Sequence, residues 1–162
     1  MTRLLNSMRR KKFARMRRRR EREQSAAPSL RYESLFEFDA CFRLSGLGHR
    51  HEEIKRITGL APTRSHLKGQ PRGMSHRVYA EDLWLLASPL VNASLDQHLE
   101  WLWTAISPHT PTFKKLAEEA TWADICLGCL SESAFPVLSV KAQSMAIARE
   151  LEIGLSFNFT CV

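Results

Sequence analysis

The sequence predicts an α+β fold, a two-layer sandwich of a mostly antiparallel sheet with helices on one face. The expected order is β-α-β-β-α-α-β-β-α-β, preceded by a basic N-terminal arm. Three observations carry this. Apolar residues alternate with polar ones at both ends of the domain, as Phe36, Phe38, Ala40, Phe42 and Leu44, then Ile153, Leu155, Phe157, Phe159 and Cys161. Period two is that of strands with one buried face. Between them Leu95, Leu99, Leu102 and Ile106 recur at i, i+4, i+7 and i+11, a single stripe on a helix. Links between periodic segments are short, which suits one domain over residues 30–162, with residues 1–29 as arm and linker.

The opening strand sets Phe36 to Leu44 against Glu37, Asp39, Cys41, Arg43 and Ser45. Gly46 to His49 read as a turn. Arg50 to Thr58 follow as a short helix with Ile54 and Ile57 inward, stopped by Gly59 and then Pro62. Thr63 to Leu67 is a short strand. Lys68 to His76 is a basic Gly/Pro loop, and Asp82 to Ala87, an apolar run around Trp84, is a strand closed by Pro89. Ser94 with Gln97 forms a capping box at the head of the Leu95–Ile106 helix, which Pro108 ends. A second helix starts from Thr110 as N-cap with Pro111 at its first position; Phe113, Leu116, Ala117 and Ala120 form its inner face. Trp122 to Leu130 is a strand with Ala123, Ile125, Leu127 and Cys129 on one side, and Phe135 to Leu138 is a short one. Ser139 caps a helix through Leu151, with Val140, Ser144, Ile147, Ala148 and Leu151 as its stripe, before the closing strand.

Charge divides the chain. The sequence holds 24 Lys and Arg against 17 Asp and Glu. Eleven of those cations and only two acids lie in residues 1–24, so the domain itself is close to neutral. Arg9, Arg10, Lys11, Lys12, Arg15, Arg17, Arg18, Arg19 and Arg20 are the candidate nucleic-acid contacts, an arginine-rich segment of the kind that folds on phosphates. The plainer reading of the same residues is a disordered tail, or an over-extended start, since Met8 and Met16 can each begin a chain. Ser25 to Ser29 is the linker.

No apolar run approaches the roughly 18 residues of a spanning helix, and no apolar segment follows the basic leader as in an export signal. With four cysteines the chain therefore reads as a cytoplasmic protein with reduced thiols.

The opening Phe-rich strand, Gly59-Leu60-Ala61-Pro62-Thr63-Arg64 with Lys68-Gly69, the Trp84 strand, the Leu99/Leu102 helix and the ending Leu155-Ser156-Phe157-Asn158-Phe159 together resemble a family of small bacterial proteins, domain of unknown function 4279. That resemblance covers nearly the whole domain and leaves out the arm. It implies an α+β fold and supplies no activity, substrate or catalytic residue.

Candidate chemistry is sparse. Cys126 and Cys129 form a CxxC, but in a strand an odd separation sends the two sulfurs to opposite faces, and no second pair completes a zinc site. His49 and His51 beside Glu52 and Glu53 read as a metal pair or as first-turn residues favoured by the helix dipole. Arg64, Lys68 and Arg72 are candidate anion contacts, by charge and by exposed backbone N–H groups of the Gly/Pro loop. Trp101 falls outside the Leu95 stripe and is a candidate partner contact, or else it packs on the next helix. There is no GxSxG or HExxH pattern, and no cofactor or metal is expected. The function expected is that of a non-enzymatic binding protein, contacting a protein partner and drawing nucleic-acid affinity from its arm. The alternatives are an RNA- or ribosome-associated factor driven by the arm, and a small anion-binding domain or enzyme using the basic loop.

Overall fold

The computed structural model describes residues 36–73, 76–131 and 138–161. The arm, and Phe135 to Val137 of the short strand expected there, lie outside the described residues; Leu138 is irregular.

Among the described residues five strands form one mixed sheet in the order β2-β3-β1-β4-β5. They are β1 (Phe36–Ser45), β2 (Arg64–His66), β3 (Leu83–Ala87), β4 (Trp122–Ser131) and β5 (Gly154–Cys161). β1 pairs antiparallel with β3 and β4, and β3 with β2. β5 runs parallel to β4, because the chain returns to the sheet through a helix rather than a tight turn. Four α-helices are described: α1 (His51–Thr58), α2 (Leu95–Ile106), α3 (Thr110–Glu119) and α4 (Ala146–Leu151).

The helices cover one face. The core gathers Ala40, Phe42 and Leu44 of β1, Trp84 and Leu86 of β3, and Ile125 and Leu127 of β4. From the helices it takes Ile54, Phe113, Ile147, Leu151 and the whole stripe Leu95, Leu99, Leu102 and Ile106. At its centre Phe42 meets Phe113 edge-on at 5.6 Å and Trp84 at 6.1 Å. Such contacts are each worth about 0.5–1.5 kcal/mol beyond area burial.

Local signals placed most boundaries. Ser94 caps α2 with a full capping box, its hydroxyl accepting the Gln97 N–H and the Gln97 side chain accepting the Ser94 N–H. Gly59 ends α1 in the left-handed region.

Four expectations need correction. Ile57 is 50% exposed, because eight residues of helix turn only Ile54 and the ends of α1 inward. Thr110 is the first residue of α3 and not its cap; its hydroxyl donates to the Ser107 carbonyl, and a 3-10 turn, Ser107–His109, joins α2 to α3 around Pro108. Ser139 caps nothing, since the last helical segment begins as a 3-10 turn at Ala142 behind Lys141. The Gly/Pro loop closes on itself as a hairpin: the Gly69 N–H donates to the Tyr79 carbonyl, the Tyr79 N–H to Gln70, and the Arg72 N–H to Arg77.

Candidate functional site

The sheet has an outer face, opposite the helices, and β1, β4 and β5 place a polar cluster there. Register sets Arg43 opposite Asp124, and the guanidinium donates from Nε at 2.8 Å and from a terminal nitrogen at 2.5 Å to the two carboxylate oxygens. That terminal nitrogen also donates to the Ser156 hydroxyl at 2.9 Å, and the Trp122 ring lies 5.2 Å from the guanidinium carbon. Paired charges on a half-buried face hold one geometry and leave little freedom for a loose ion.

Two residues along, Cys41 of β1 stands directly opposite Cys126 of β4, and each thiol is the other's largest electrostatic influence. The Cys126 thiol is lowered to about 6: the Cys41 hydrogen bond contributes most, with Ser156 and Arg43 adding to it against burial and Asp124. Cys41 moves the other way, raised by donating to Cys126 and by burial. The pair thus gives up one proton easily and keeps the second. Asp39 folds its carboxylate over Gly128, where any Cβ would collide with it. Cys129 lies on the core side of β4 and is buried. The CxxC sulfurs are therefore on opposite faces, as alternation requires. The relevant partner of Cys126 is instead Cys41, which sequence reasoning missed, since only strand register brings them together.

On the core face, helix coverage stops before the far half of β5. Phe157 and Phe159 stack on each other at 6.2 Å and remain 52% and 54% exposed. Among the described strands β5 is at the sheet edge, eight residues long with no charge and no proline.

The candidate anion residues come together only in part. Arg64 and Lys68 are exposed, while Arg72 is half-buried with its guanidinium 4.9 Å from the Tyr79 ring. Tyr79 also stacks on His66 at 3.6 Å. His66 is lowered, first by burial and then by Arg64 and Arg72, so these two cations share its surroundings. The N–H groups of Gly69, Gln70 and Arg72 donate to carbonyls inside the hairpin. These three are not the exposed donors expected of an anion loop.

Trp101 is half-buried and packs against the core cluster. The nine arm cations lie outside the described residues. His49 is exposed and His51 buried, so they do not converge. His51 Nε2 sits 3.5 Å from the Asp82 carboxylate, which accepts the Gly46 N–H at 2.5 Å and that of Gly48. Among the described residues no group of three or more His, Cys, Asp or Glu could hold a metal ion. None of their helices is long and apolar enough to cross a membrane.

A family model described as a domain of unknown function (DUF4279) matches residues 36–161. No curated protein and no solved structure matches the chain.

Proposed function

We propose, for a chain that belongs to the DUF4279 family, a non-enzymatic role as a binding module. A protein partner adds an extended strand to the edge of β5, and the basic arm lends affinity for nucleic acid. The observation that carries this is the exposed, uncharged edge strand with its stacked Phe157 and Phe159. Strands at a sheet edge usually bear charges or proline that discourage pairing, and β5, at the edge among the described strands, has neither.

Magnitudes favour strand addition over a simple apolar patch. Covering the open half of two Phe side chains removes on the order of 100 Å² each, about 4–5 kcal/mol in all. Association costs of about 4–15 kcal/mol consume that. Main-chain hydrogen bonds along the edge must contribute the rest, as in other cases of strand addition. The half-burial of Trp101 against the core argues for moving the contact from α2 to β5.

A photo-crosslinking residue at position 159, compared with one at Lys115, tests the reading. A partner captured only from position 159, purified, and bound at least tenfold more weakly by the Phe157→Lys/Phe159→Lys chain supports it. Equal capture at both positions, or unchanged affinity, rejects it. The arm is tested separately by titrating duplex RNA against the full chain and one starting at Ser25. If half of the arm's eleven cations touch phosphate, the log–log salt slope is roughly −4 to −5 and disappears with the arm.

A further inference from the structure

We propose that Cys41 and Cys126 are an oxidation site: a thiol pair on the outer face of the sheet that a peroxide closes into a disulfide between β1 and β4. This is independent of the β5 edge.

Geometry makes the first case. The two residues are direct cross-strand partners in an antiparallel pair. Such partners have Cα atoms about 4.5–5.5 Å apart. That lies inside the roughly 4.4–6.8 Å a disulfide spans, and opposed Cβ atoms, about 4.5–5.5 Å apart in such pairs, need only a small local approach to reach the roughly 3.5–4.5 Å of the closed bond. Both side chains point away from the helices, and neither belongs to the core cluster. The remaining cysteines cannot compete for either sulfur: Cys129 faces the core, and Cys161 lies at the far end of β5 opposite Ser131.

The surroundings make the second. Among the described residues several charged and polar groups act on the pair, Arg43 on both thiols. Arg43 and the Ser156 hydroxyl favour a thiolate on Cys126, and Asp124 opposes it. Asp39 acts on Cys41 from the same strand, raising it. The favourable set lies around Cys126, and it favours the thiolate there over one on Cys41. A low thiol beside a guanidinium is the setting in which cysteines react with peroxides. Cys126 is buried at 9% exposure and Cys41 is half-buried, so the pair meets solvent chiefly on the Cys41 side.

The chemistry balances. The Cys126 thiolate attacks one peroxide oxygen and the O–O bond breaks, leaving a sulfenic acid and a hydroxide that takes a proton from solvent. The Cys41 sulfur then attacks the sulfenyl sulfur, and the expelled hydroxide leaves as water with the Cys41 proton. Two thiols are oxidised by two electrons and one peroxide is reduced to two waters. A dithiol reverses the bond by exchange.

The test treats the full chain with one equivalent of hydrogen peroxide, blocks residual thiols with iodoacetamide and digests with trypsin. Cys41 falls in the peptide 32–43, and Cys126 and Cys129 in the peptide 116–141. The expected result is a cross-link between these peptides that fragmentation assigns to Cys126, with Cys129 and Cys161 alkylated and dithiothreitol releasing the Cys41 and Cys126 thiols. Before oxidation, alkylation of Cys126 should rise with pH about a midpoint near 6 and be level above pH 7. Arg43→Gln should move that midpoint upward. Oxidation falling first on Cys161 or Cys129, a sulfinic acid on Cys126 with no cross-link, or a midpoint at the ordinary thiol value of about 8.5 overturns the proposal. The cross-link map is made on the unsubstituted chain, so it decides even if Arg43→Gln fails to fold.

Discussion

Asp82 shows how one buried carboxylate fixes a turn. It is 6% exposed, accepts the backbone N–H groups of Gly46 and Gly48, and lies beside His51. Burial alone would raise it. The two N–H bonds and His51 prevail and hold it below its ordinary value of 3.8. Asp82→Ala leaves two turn donors without their acceptor and should cost about 1–3 kcal/mol of stability by urea unfolding. The contribution of a depressed carboxylate is complete above its unfolded value and is lost as pH falls through the folded one. The difference between Asp82→Ala and the unsubstituted chain should therefore shrink only below about pH 4. Gly46 in the same turn has φ +88°, and an added Cβ would lie 2.7 Å from the Thr121 backbone nitrogen. Backbone cannot yield as a flexible side chain does, so Gly46→Ala should destabilise by more than the roughly 1 kcal/mol that left-handed strain alone costs. Little soluble folded protein on expression is the check.

At the scale of elements, α2 holds the layers together. Its stripe is almost wholly buried over β1, and its start is fixed by the Ser94–Gln97 box. Two substitutions separate these roles. Leu99→Ala opens a hole in a filled core and should cost about 2–5 kcal/mol. Ser94→Ala removes a cap and should cost about 1 kcal/mol. Thermal melts of both should rank in that order. β5 is the opposite kind of element, since pairing with β4 satisfies one of its edges and half of its aromatic surface stays in water. The alternation of Leu155, Phe157 and Phe159 was plain in the sequence as a half-buried strand. What alternation could not say is that only Leu155 lies under the helices. Periodicity assigns a face, while coverage depends on how far a helix from elsewhere in the chain extends over it. Ile57 carries the same lesson, an apolar residue at helical spacing that found no partner.

At the scale of the whole molecule, three histidines tie stability to pH. His51, His66 and His98 are all lowered below 6.5, burial being the first cause for each. The unfolded chain then binds more protons than the folded one just below pH 6.5, so stability rises with pH through that window. Their contribution is complete above 6.5 and is lost as the pH drops beneath it. Melting temperatures should fall from pH 7.5 to pH 5.5, and replacing the fully buried His98 by Gln should flatten the fall. The sequence by itself determined the fold class, the one-sided sheet and most helix ends. Those follow from the side-chain period and from capping groups acting over three or four neighbouring residues. Only the tertiary structure decided that β5 is parallel and, among the described strands, at an edge, that the Gly69, Gln70 and Arg72 N–H groups donate within their own hairpin, and that Cys41 faces Cys126. Each of these depends on which strands pair and in what register, and hydrogen bonds between backbones carry no side-chain pattern that the linear chain displays.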